Sequence, residues 1–121
     1  MAIELKTRTK TFALEIVRLY AALPKKTEAQ VLGRQVLRSG TSVGAHYYEA
    51  QRAKSNPNFI SKIEGGLQEL EETGYWLELL YDLDIGDREK LESLQQETKE
   101  LIRIFVTIVN KTKSRSKPLK S

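Results

Sequence analysis

The chain has 121 residues, 30% of them charged, with a formal charge of +4 and no cysteine. That length makes one domain able to bury a core without staples, and the missing thiols exclude disulfides, thiolate metal sites and cysteine nucleophiles. No apolar run approaches the roughly 18 residues of a membrane span, and MAIELKTRTKTF lacks the apolar segment of a signal peptide, so a cytoplasmic protein is expected.

A first helix is expected from about Lys6 to Ala22, because Leu5, Phe12, Ile16, Leu19 and Leu23 recur at helical spacing. Pro24 lies just past its end. Thr27 with Gln30 three residues on has the form of a capping box for a second helix. That helix would extend through RSGTSVGAHYYEAQRAK toward Lys54. Asn56-Pro57 offers an N-cap and a first-turn proline for a third helix carrying Ile60, Ile63, Leu67, Leu70, Leu77 and Leu80. Asp84-Ile85-Gly86-Asp87 reads as a turn, with Asp87 capping a fourth helix that carries Leu91, Leu94, Leu101, Phe105, Ile108 and Val109. The expected domain is therefore residues 1–110, an all-α, antiparallel up-down-up-down four-helix bundle. Residues 111–121, KTKSRSKPLKS, have little to bury and are expected to be a disordered basic tail.

Charge is segregated along the chain. Residues 1–54 hold ten basic and four acidic residues, residues 55–110 five and twelve, and residues 111–121 five basic residues and no acid. A positive face for phosphate-bearing partners is one consequence, a soluble surface the other. The candidate contacts are Lys6, Arg8 and Lys10 near the start, Arg34, Arg38, Arg52 and Lys54 in the second segment, and Lys111, Lys113, Arg115, Lys117 and Lys120 in the tail. No interleaved aromatic platform for base readout is visible.

Glycine inside a helix costs about 1 kcal/mol relative to alanine, so Gly33, Gly40 and Gly44 call for a reason. Close helix approach is the ordinary one, with Gly44 and Ala45 expected opposite Gly65 and Gly66. GTSVG lacks the spacing and ending of a phosphate loop. His46, the single histidine, has Glu49 at i+3 but no second histidine, so no metal or cofactor is expected. Glu49 and Arg52 suggest an intrahelical ion pair. No nucleophile elbow or HExxH sequence occurs, and the acids of the third helix form a solvated face, so an enzyme is not expected. A small hydrolase would require an acid or His46 with a shifted pKa in a pocket.

The segment LIRIFVTIVN carries more apolar surface than a bundle helix buries, and Tyr75 and Trp76 add aromatic surface. Tyr75, Trp76, Ile102, Ile104 and Val106 are the expected self-association residues.

LRSGTSVGAHYYEAQRA, then NFISKI, then ETGYWLELLYDLDI closely resemble the small four-helix-bundle proteins encoded by intervening sequences in bacterial 23S rRNA genes. The motif residues are Ser39, Gly40, Gly44, Glu49, Arg52 and Phe59, and the likeness spans about Phe12 to Ile85. His46 stands where the family usually has asparagine, and Gly65-Gly66 replaces bulkier residues. The resemblance implies a homopentameric ring. It also implies relatives that serve as accessory proteins of diversity-generating retroelements, binding a reverse transcriptase and nucleic acid. The expected function is a non-enzymatic homo-oligomer that binds structured RNA or DNA, or a nucleic-acid enzyme, through basic surfaces. A protein-interaction scaffold is the alternative.

Overall fold

A computed structural model of the chain describes residues 2–116. It has four helices, α1 (Ala2–Ala22), α2 (Thr27–Ala50), α3 (Asn56–Asp82) and α4 (Arg88–Ser116), and no strand among the described residues. Each helix buries one stripe at three- and four-residue steps. Leu5, Phe12, Ile16 and Leu19 of α1 meet Val36, Val43 and Tyr47 of α2, Ile63, Leu70, Leu77 and Leu80 of α3, and Leu91, Leu101, Phe105 and Val109 of α4 in one core.

Residue contacts join the successive helices. Gly33 of α2 lies against Leu23 and Tyr20, Gly40 against Ile16, and Gly44 against Thr9. Between α2 and α3, Arg38 reaches Glu72 while Glu49 reaches Lys62. Between α3 and α4, Gly74 faces Thr98, Gly66 faces Phe105, and Glu64 meets Lys113. The seam between α1 and α4 is the loosest of the four.

Four local expectations are corrected. Thr27 is the first helical residue rather than the cap, and Lys26 before it gives no side-chain cap. Gln30 instead donates to the Pro24 carbonyl (2.9 Å) and accepts from the Tyr20 hydroxyl (3.1 Å), tying α1 to α2. Ser55, not Asn56, caps α3 by accepting from the Asn58 amide at 3.2 Å, with Pro57 in the first turn. α2 stops at Ala50, short of Lys54. α4 passes the expected boundary at Asn110 and continues to Ser116, so residues 111–116 are helical. Lys113 and Arg115 lie in its last turn, where cations favour the negative end of the helix dipole, and Lys113 is 3.3 Å from Glu64. Lys117 and Lys120 lie outside the described residues. The turn before α4 is as expected: Gly86 has φ +100, and Asp87 accepts from the amides of Glu89 (2.9 Å) and Lys90 (3.3 Å).

The small residues of α2 admit α1, not α3 as expected. A methyl at Gly40 would lie 2.8 Å from Ile16 Cγ1, whereas at Gly44 its nearest neighbour would be the Thr9 carbonyl at 3.5 Å. Gly44→Ala should therefore stabilise the fold by up to about 1 kcal/mol through helix propensity. Gly40→Ala should destabilise it by roughly 1–2 kcal/mol through overpacking of a buried branched side chain. Urea midpoints of the two variants decide this, and the same sign for both would refute it.

The Gly65-Gly66 pair has a different task. A methyl at Gly65 would lie 2.8 Å from His46 Cε1, and one at Gly66 2.7 Å from Phe105 Cε2. His46 and Gly65 therefore share one space: the imidazole of His46 sits where a side chain at position 65 would stand.

Candidate nucleic-acid interface

The fold gathers residues distant in sequence. The start of α1, the end of α2, the start of α3 and the end of α4 all lie at one end of the bundle, as the Gly44–Thr9, Glu49–Lys62 and Glu64–Lys113 contacts require. Lys6, Arg8, Lys10, Arg52, Lys54, Lys111, Lys113 and Arg115 therefore collect there. Arg34 and Arg38 lie further along α2.

Not all of these cations are available. Arg8 donates from Nε to Glu97 at 2.6 Å and from Nη2 to Glu97 at 2.8 Å and Glu100 at 2.5 Å. Its guanidinium is pushed above its ordinary pKa, chiefly by the hydrogen bonds to Glu97. Arg38 is held by Glu72 (2.5 Å) and Glu69 (3.3 Å), and its pKa is raised by the bond to Glu72. Lys113 faces Glu64. By contrast Lys6, Lys10, Arg34, Lys54, Lys111 and Arg115 are exposed and have no ion-pair partner among the described residues. Arg52 does not pair with Glu49 as expected. Its guanidinium lies 4.1 Å from the centroid of the half-exposed Tyr48 ring, and Glu49 meets Lys62 at 3.3 Å.

Two recesses mark this end. One, of about 510 Å³, has an apolar floor of Leu5, Tyr47, Phe59, Ile104 and Ile108 and a rim that includes Arg8, Lys111 and Arg115. The other, of about 340 Å³, opens between α1 and α2 over Gly44, with Lys6, Lys10 and Tyr48 around it. A longer groove of about 810 Å³ follows the loose α1–α4 seam over Phe12 and Leu94, bridged by Arg8 and Glu97.

The motif residues divide by role. Ser39 is fully buried. Its hydroxyl donates to the Gln35 carbonyl (3.0 Å) and accepts from Thr73 Oγ1 (2.8 Å), which is also 2.7 Å from the Glu69 carbonyl. Gly40 and Gly44 admit α1, Phe59 packs on the core, and Glu49 and Arg52 lie at the basic end. His46 is 3.9 Å from both Glu49 and Glu69, and its Nδ1 is buried without a hydrogen-bond partner. No group of three metal-ligating side chains occurs among the described residues.

The expected self-association residues do not form one patch. Ile104, with Ile108, Lys111 and Arg115, lines the flank of α4 toward α1. Ile102 and Val106 share the opposite flank with Lys113, which reaches α3. Tyr75 is exposed and stands edge-on to Trp76 at 5.1 Å beside Glu71 and Glu72. Trp76 is half-buried, its indole Nε1 shielded and without a hydrogen-bond partner among the described residues.

Sequence reading missed the pairing of Tyr48 with Arg52. The signal was present as an aromatic and a cation at i and i+4, the spacing that brings side chains together on a helix.

The Arg8 cluster carries a pH prediction. Gln96 and then Arg8 hold the Glu100 carboxyl below its ordinary value of 4.5. A depressed folded-state pKa stabilises the fold above the unfolded value, and this contribution is lost as pH falls through the folded one. Arg8→Gln should flatten the decline of the urea midpoint below about pH 4.5. An unchanged slope would show that Arg8 contributes nothing to acid stability.

No helix among the described residues is long and apolar enough to cross a membrane. No curated protein matches the chain. The crystal structure of a protein with unknown function from the S23 ribosomal protein family of Bacteroides thetaiotaomicron VPI-5482 is similar at 39% identity and a TM-score of 0.80. That match covers 86% of this chain and 96% of the other. The model of the 23S rRNA-intervening sequence protein family matches residues 2–107, well beyond the stretch that carried the resemblance. With four helices, the motif in place and nearly the whole chain matched, this protein belongs to the 23S rRNA-intervening sequence protein family.

Proposed function

We propose that this chain is a non-enzymatic accessory protein, an antiparallel up-down-up-down bundle that assembles into a homopentamer and binds structured nucleic acid through its basic end. A nucleic-acid enzyme such as a reverse transcriptase is the protein partner this reading admits. The observation that carries it is the convergence of Lys6, Lys10, Lys54, Lys111 and Arg115, from three separate stretches of chain, on one end of the bundle without acidic partners among the described residues. Cations already paired gain little from a phosphate, whereas unpaired ones release counterions from the nucleic acid when they bind it. The acidic residues of α3 stand away from this end or are engaged, as Glu69 and Glu72 are by Arg38.

The test is fluorescence anisotropy with a structured RNA and a matched DNA duplex, titrated across salt at a known assembly state. Binding whose logarithm falls linearly with log salt supports the reading, and the slope counts the phosphates engaged. No binding at low salt would end it.

The exposed Tyr75 beside Trp76 favours a second reading, a scaffold that docks a protein partner on α3. Deleting residues 111–121 separates the two. A scaffold keeps its partner, whereas a nucleic-acid binder loses affinity and salt dependence.

A further inference from the structure

The geometry points to a base-stacking slot between α1 and α2, built on Tyr48, that takes one unpaired base of a single-stranded segment while Lys6 and Lys10 hold its phosphates. It rests on the nucleic-acid reading above and gives that reading a specific site. Tyr48 is half exposed and lines the recess of about 340 Å³ over Gly44. Arg52 lies over its ring at 4.1 Å, which pins the aromatic plane and adds positive charge beside it.

Small residues, Gly44, Ala45 and Ala13, are among those that line the recess. Gly44 has no side chain, and the nearest atom to a methyl there would be the Thr9 carbonyl at 3.5 Å. The two lysines stand one helical turn apart on α1, exposed and without ion-pair partners among the described residues. An apolar slot with an aromatic wall and cations at its mouth matches a flat base joined to an anionic backbone, the combination that binds single strands without sequence preference. A duplex does not offer this, because its bases are already stacked. A loop, a bulge or a free strand does.

The test uses the full chain, with a labelled single-stranded oligoadenylate, an abasic strand of the same length, and adenosine monophosphate. Tyr48→Leu removes the π-face but keeps an apolar side chain, and Tyr48→Phe keeps the ring. Tyr48→Leu should weaken oligoadenylate binding by at least about fivefold with little change in salt slope, because stacking rather than charge is lost. Tyr48→Phe should restore affinity, and the abasic strand should be indifferent to Tyr48→Leu. Equal loss on the abasic strand, or no loss on oligoadenylate, would overturn the slot. Adenosine monophosphate binding as tightly as the strand would overturn the strand in favour of a free nucleotide. If the unaltered protein binds no nucleic acid at low salt, the basic-end reading itself fails. If it binds and only Tyr48→Leu is silent, the slot alone fails.

Discussion

Replacing Lys6, Lys10, Lys111 and Arg115 together by glutamine is expected to weaken binding to a structured RNA by about two to three orders of magnitude near 0.1 M salt. Each phosphate contact removed should lower the slope of log affinity against log salt by about 0.7–0.9, so four lost contacts amount to roughly three units. The four side chains are exposed and outside the core, so the fold should survive, and an unchanged urea midpoint checks that. Arg34→Gln is the control. It also removes an exposed cation without an ion-pair partner among the described residues, but one further along α2, away from the basic end. The basic-end reading predicts a near-normal slope for that variant. If Arg34→Gln and the quadruple variant lose affinity per charge alike, the attraction belongs to net charge and not to an assembled surface.

Phe105→Ala is expected to cost about 3–5 kcal/mol, a large share of the roughly 5–15 kcal/mol that holds a domain of this size. Phe105 is fully buried, its ring 6.3 Å from that of Tyr47 and its edge over Gly66. It thus packs against two helices at the level where the basic end begins, and its removal leaves a cavity that a glycine cannot help to close. The complementary change is Gly66→Ala, whose methyl would stand 2.7 Å from Phe105 Cε2. The ring has Tyr47 beside it and little room to retreat, so this variant should lose roughly 1–3 kcal/mol despite the better helix former. With Phe105→Leu in the same chain, the alanine should fit, and the double variant should be more stable than the sum of the two changes. Additive losses, measured by denaturant unfolding, would mean that the two residues do not share one space.

A similar interlock joins His46 and Gly65. The imidazole fills the volume that glycine leaves. Neither position explains the other when read along the chain, being nineteen residues apart and on different helices.

Much of the fold was legible because helical periodicity is local. Phe12, Ile16, Leu19, Ile63, Leu70, Leu77, Leu101 and Phe105 declared the buried stripes, and all are buried. The Gly86–Asp87 turn was readable for the same reason, since its conformation and cap depend on two adjacent residues. Caps elsewhere were less secure. Ser55 and Asn56 can each accept an amide, and only the entry angle of the chain selects Ser55. The end of α4 was misjudged because composition describes a basic tail's solubility, whereas its helicity draws on a helix already nucleated upstream and on Glu64 across the seam.

The sequence by itself determined the helical class, the core stripes, the family motif and the excess of cations at the two chain ends. Only the tertiary structure decided which helix the glycines admit, which arginines are spent on acids, and which cations stand together. Periodicity places a side chain on a face of its own helix, but its partners depend on how helices are stacked and in which sense they run. Arg38 and Lys10 look alike along the chain. One lies across from Glu69 and Glu72, the other beside an open slot with Tyr48, and that difference exists only after folding.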